Sequence, residues 1–194
     1  MGIFSSLFGR NVGSEKINAL AKLLWDSVPE IVGEIRTIAY HTQEEVTIRT
    51  DDEIFAALLH YVSRVSLHVG GASFQDAIYG KLRDKIVEAR SSAMARFRTM
   101  QEGREVAPRS IASDLVQGYT QREIEYANHS GGYGDKSTRV GSLIWAIAKN
   151  IHNSSGISVA DDDSAINSIG DVFALSLADL ELDIKLQTLQ KSFS

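Results

Sequence analysis

Large apolar residues return at steps of three and four through nearly the whole of this 194-residue chain. A chain patterned this way buries its surface as helices, because about 3.6 residues make one helical turn whereas a half-buried strand alternates every second residue. Ile17, Leu20, Leu24, Val28, Ile31, Ile35 and Ile38 form one such stripe between about Ser14 and His41. Pro29 falls within it and is expected to kink or divide the helix, since proline withdraws an amide donor. A second stripe, Ile54, Leu58, Tyr61, Val62, Val65 and Val69, follows the helix-start residues Thr50, Asp51 and Asp52 and stops at Gly70 and Gly71. A third runs from Ser73 to about Met100 through Phe74, Ile78, Leu82, Ile86, Ala89, Ala93 and Phe97. Between the first two, Val46 and Ile48 alternate with polar residues over too short a span for a sheet, so 44–49 reads as a connection.

Beyond a turn over 103–108, further helices are predicted for 109–129, 137–153 and about 164–189, with Gly170 a candidate interruption of the last. The fold class that follows is all-α, a single-domain bundle of about six helices over 14–194 with mostly short connections. Having only two prolines, Pro29 and Pro108, suits long helices better than a fold of many turns. Residues 1–13 precede any strong helix signal and read as a flexible N-terminal arm.

Composition removes several classes of chemistry. With no cysteine there is no disulfide, thiolate nucleophile or thiolate-held metal. A net charge of −5 argues against a general nucleic-acid role, which needs a concentrated positive surface. One segment runs against that balance. From Lys81 to Arg109 the eight basic residues Lys81, Arg83, Lys85, Arg90, Arg96, Arg98, Arg104 and Arg109 face only Asp84, Glu88, Glu102 and Glu105. No apolar run approaches the roughly 20 residues of a membrane span. The opening also lacks the pattern of a secretory signal, so a cytoplasmic address is expected.

The motifs are weak. Gly131 to Thr138 has the glycines and lysine of a phosphate-binding loop, but Asp135 separates Gly134 from Lys136 and a helix precedes it where a strand is required. Asp161, Asp162 and Asp163 lack the spacing of a calcium loop and read as helix-start charge. The histidines His41, His60, His68, His129 and His152 include no pair at zinc-motif spacing. No serine nucleophile elbow occurs either. Neither a metal nor a cofactor is expected, and no catalytic motif argues for an enzyme. In the arm, Gly2 and Ser6 fit a loose acylation pattern, and Ile3, Phe4, Leu7 and Phe8 would suit a membrane interface. Folding back over the core is the plainer reading of those four residues.

One constellation carries more chemistry. In 109–129, Ile111, Leu115, Tyr119, Arg122, Tyr126 and His129 project within about 80° of one another, so an apolar stripe turns polar-aromatic as it runs. Tyr61, Arg64 and His68 repeat the Tyr–Arg pattern at the edge of the second stripe, with His60 beside them. If the two faces converge they form a pocket for an anionic or aromatic ligand. The competing expectation is a structural network in which Glu123, Glu125 or Asp76 satisfies the arginines and tyrosines.

The last predicted helix has two nearly opposite stripes: Ile166, Ile169, Phe173, Leu177, Leu180 and Ile184, and then Leu175, Leu182, Leu186 and Leu189. A helix apolar on both sides must be sandwiched or shared, so the leucine set is expected in or beneath a homodimer interface. The leading functional expectation is therefore a non-enzymatic, self-associating helical interaction or scaffold protein. A ligand-binding protein or enzyme using the Tyr/Arg/His pocket is the alternative, and a peripheral membrane protein docked through the arm is a third.

Overall fold

Six α-helices and one π-helical turn are the elements of the computed structural model, which describes residues 4–40, 48–129, 140–156 and 162–192. No strand occurs among the described residues. The helices are α1 (Phe4–Ile35), α2 (Ile48–Glu102), α3 (Pro108–Ala127), α4 (Leu143–Ser155), α5 (Asp162–Asp179) and α6 (Leu182–Gln190), with the π turn Arg36–Tyr40 following α1. None is long and apolar enough to cross a membrane. By packing, the chain falls into two compact units. Unit 1 comprises Met1–Leu23, Tyr61–Gln121 and Asp183–Ser194, and unit 2 comprises Leu24–His60 and Arg122–Leu182. Several sequence expectations lie outside the described residues: the glycine-rich 131–138 segment, Val46, and the side chains of residues 1–13 with their docking role. The backbone of α1 nevertheless begins at Phe4, inside the segment read as an arm.

The first stripe buries as its spacing requires, with Ile17, Leu20, Leu24, Val28, Ile31 and Ile35 all in the core. Its next member, Ile38, is 48% exposed, whereas Ala39 is buried. The π turn accounts for the exchange, because its wider turn moves the inward position one residue along. Pro29 lies inside α1 without dividing it.

Helix α2 joins what the sequence reads as two helices, and the joint is Gly71, at φ 73° and ψ −176°. That backbone region is essentially closed to residues with a Cβ. On its two sides α2 buries Ile54, Leu58 and Val62 and then Phe74, Ile78, Leu82 and Ile86. Helix α4 starts six residues later than the sequence suggests, at a cap where the Ser142 hydroxyl accepts the Trp145 amide at 3.2 Å. Val140, assigned to that helix from sequence, precedes it and is 76% exposed. Within unit 2, α5 packs against both α4 and the π turn. Gly170 sits where a Cβ would meet Ile144 Cγ2 at 3.3 Å, so it is a close-approach point in α5 and not an interruption.

The break comes later, at Glu181, whose φ of 47° ends the run before α6. This divides the predicted leucine stripe between two helices. Helix α5 buries Ile166, Ile169, Phe173, Leu177 and Leu180, and α6 buries Leu182, Leu186 and Leu189. Their would-be companions Leu175 and Ile184 are 67% and 60% exposed. Two opposite stripes exist only on an unbroken helix; once the chain turns at Glu181, each helix has one inward face. Leu182, Leu186 and Leu189 are thus buried within the chain, and Leu175 is the member of that set left exposed.

The same substitution at two glycines has opposite expected effects. Gly33 is exposed on α1 with nothing within 4 Å of a built Cβ, so Gly33→Ala raises stability by roughly 0.5–1 kcal/mol. Gly71→Ala forces a Cβ into the positive-φ joint and lowers stability by about 1–3 kcal/mol. Urea titration of both variants measures the signs.

Candidate functional site

The polar-aromatic end of α3 is where the candidate chemistry gathers, and its partners come from the start of α2 and from α4, all within unit 2. Arg122 presents its guanidinium edge to Glu53. Nε donates to Oε2 at 2.6 Å and Nη2 to Oε1 at 2.5 Å, the two-pronged geometry that suits a planar fork and a carboxylate. Nη1 donates to Glu125 Oε2 at 2.5 Å, one helical turn along α3. The other oxygen of Glu125 accepts from Asn150 Nδ2 at 2.8 Å, and the same amide nitrogen reaches the Tyr126 hydroxyl at 3.3 Å. Arg122 is therefore shared between two carboxylates, one of which an α4 amide also holds.

Tyr126 is fully buried, and its ring lies 5.6 Å from that of His60, tilted by 59°. His60, 2% exposed, lies with Nδ1 2.9 Å from Glu123 Oε2. Nε2 is buried with no hydrogen-bond partner among the described residues. At the rim, the Ser154 hydroxyl lies 3.3 Å from the hydroxyl of buried Thr50 and 2.8 Å from the Ile151 carbonyl. Asp52, Glu53, Arg122, Asn150, Asn153 and Ser154 line an open polar cleft of about 300 Å³.

The electrostatics follow from this pairing. The hydrogen bond to Glu53 raises the Arg122 pKa above its already high ordinary value; burial opposes the shift and is outweighed by the charges of Glu53 and the bond to Glu125. Burial alone would favour the neutral form of Glu125, but the bonds from Asn150 and Arg122 and the Arg122 charge bring its pKa below the ordinary glutamate value. Burial is the main cause of the raised Tyr126 pKa, against the Asn150 bond, which lowers it.

The sequence-predicted site residues divide between the two units. Tyr61, Arg64, His68 and Tyr119 belong to unit 1; Arg122, Tyr126 and His129 belong to unit 2. In unit 1, Tyr119 is buried, Tyr61 and Arg64 are half-buried and His68 is exposed. Burial, helped by the negative charge of Asp183, raises the Tyr61 pKa. In unit 2, His129 Nδ1 lies 3.1 Å from the Gly141 carbonyl oxygen, so this histidine joins the end of α3 to the approach to α4. Sequence reasoning missed Glu53 and Asn150. Glu53 sits in a helix-start acidic run, where its charge reads as dipole compensation, yet it precedes His60 by seven residues, two helical turns on one face. Asn150 carries no sequence signal of its own.

No protein-family model, curated protein or solved structure matches this chain.

The lowered Glu125 pKa has a pH consequence. A carboxylate ionised more readily in the fold than in the unfolded chain stabilises above its unfolded pKa of about 4.3 and loses that contribution as pH falls through the folded value. Wild type is therefore more stable than Glu125→Gln at neutral pH. The difference shrinks steadily below about pH 4.3, as chemical denaturation at a series of pH values measures.

Proposed function

We propose that this chain is a non-enzymatic helical interaction protein whose polar cluster is structural and whose working surface is the turn between α2 and α3. The observation that carries this reading is the exposure of that turn: every residue from 96 to 110 except Thr99 and Val106 is exposed, including Phe97 at 42% and Met100 at 77%. A scattered apolar side chain on a surface is ordinary, but two of them one helical turn apart beside four arginines are a recognisable contact surface.

The cluster around Arg122 supports the same reading from the other side. A ligand-binding guanidinium needs free donors, and this one commits three of its five N–H groups to Glu53 and Glu125. The cleft beside it has two acidic side chains, Asp52 and Glu53, against the single arginine, which disfavours the anionic ligand that the sequence pattern suggested. With Leu182, Leu186 and Leu189 buried, the leucine stripe offers a partner little besides Leu175.

Hydroxyl-radical footprinting reads engagement of this surface without knowledge of the partner. Met100 oxidises readily in the purified protein and is protected in extract of the cells that make it. Equal oxidation in both settings, at several extract concentrations, contradicts the proposal.

A further inference from the structure

We infer that the α2–α3 turn docks on an anionic lipid surface, with Phe97 and Met100 entering the headgroup layer and Arg96, Arg98, Arg104 and Arg109 gripping the phosphates. This rests on the interaction reading above and names the partner it implies.

Charge complementarity is the first ground. The turn from Arg96 to Ser110 carries four arginines against Glu102 and Glu105, two net positive charges in a chain whose total is −5, which leaves seven net negative charges on all other residues. Such segregation directs one region toward an anionic surface while the rest is repelled by it. Of the four arginines at the turn, Arg104 is 80% exposed and pairs with Glu102 at 2.8 Å, a surface arrangement readily exchanged for a phosphate.

Shape chooses between a membrane and an acidic peptide. An apolar peptide face docks into a groove with half-buried walls, whereas 96–110 is exposed almost throughout and presents its apolar side chains outward, as a flat membrane surface accepts them. Phe97 and Met100 lie three residues apart, hence on one helix face at its end, flanked by Arg96 and Arg98. Apolar residues beside arginines whose long stems can snorkel are the composition of an interfacial wedge. The turn is also held in shape: Gly103 donates its amide to the Thr99 carbonyl at 3.1 Å, and Val106 donates its amide to the Thr99 hydroxyl at 3.1 Å. A fixed turn loses little freedom on docking.

Neither element is sufficient alone, since stable peripheral attachment takes an apolar and an electrostatic contribution together. The test is sedimentation of the full chain with vesicles of phosphatidylserine and phosphatidylcholine, against vesicles of phosphatidylcholine only. Binding is expected on the anionic vesicles alone and declines as salt is raised. The double variant Arg96→Gln with Arg98→Gln weakens it by roughly an order of magnitude or more, at about fivefold per charge. Phe97→Ser with Met100→Ser weakens it while leaving its salt dependence in place, and Leu175→Ser, exposed elsewhere, changes nothing. All these side chains except the half-buried stem of Phe97 are freely exposed, and circular dichroism confirms that each variant is folded. Absence of binding, equal binding to neutral vesicles, or loss only in Phe4→Ser with Phe8→Ser overturns the inference. Protection of Met100 that persists in membrane-free supernatant, with no vesicle binding, also overturns it and assigns the turn to a protein partner, leaving the interaction reading intact.

Discussion

A guanidinium that cannot lose its charge, placed where it is more than half removed from water, obliges the chain around it to supply carboxylates. Arg122 is that group, 29% exposed, opposite a Glu53 that is 16% exposed. Its requirement brings the first turns of α2 to the end of α3, and Glu125 passes the connection to α4 through Asn150. Helix α4 in turn packs on α5, which packs on the π turn after α1. The apolar stripes supply the bulk of the driving force in unit 2, but they are tolerant of sliding. A two-pronged ion pair is not, because both N–H groups must meet both carboxylate oxygens at once.

Much of the helical frame is legible in the sequence because the apolar period is local information: Ile17 to Ile35, Phe74 to Ile86 and Ile166 to Leu180 bury as their spacing demands. What is not legible depends on one residue's backbone. The π turn shifts the buried position from Ile38 to Ala39, and Glu181 divides the last helix, although neither residue type announces such a role. The split at Glu181 undoes the two-sided helix from which the leucine interface was inferred. Gly71 reads as a break and is one, whereas Gly170 reads as a candidate break and is not, because a glycine required by close packing looks the same in sequence as one required by positive φ.

The candidate site shows the same division. Arg122 and Tyr126 were found by helical spacing, but their partners Glu53 and Asn150 depend on which helices become neighbours, and that is tertiary information. An arrangement of tyrosine, arginine and histidine looks like ligand chemistry until the carboxylates arrive. With Glu53, Glu125 and Glu123 in place, each cation or imidazole of the cluster faces an acidic group of the same unit. These pairings support the proposed structural role of the cluster, with recognition proposed at the arginine-rich turn.

The central claim, that the Arg122 cluster is a structural clasp, is tested most directly by a double-mutant cycle on Glu53→Gln and Arg122→Met, with stability read from denaturant unfolding. The pair is intermediate between exposed and buried, so the account predicts a coupling of about 1–3 kcal/mol. Additive effects, to within about 0.5 kcal/mol, would contradict it and leave the guanidinium available for another task.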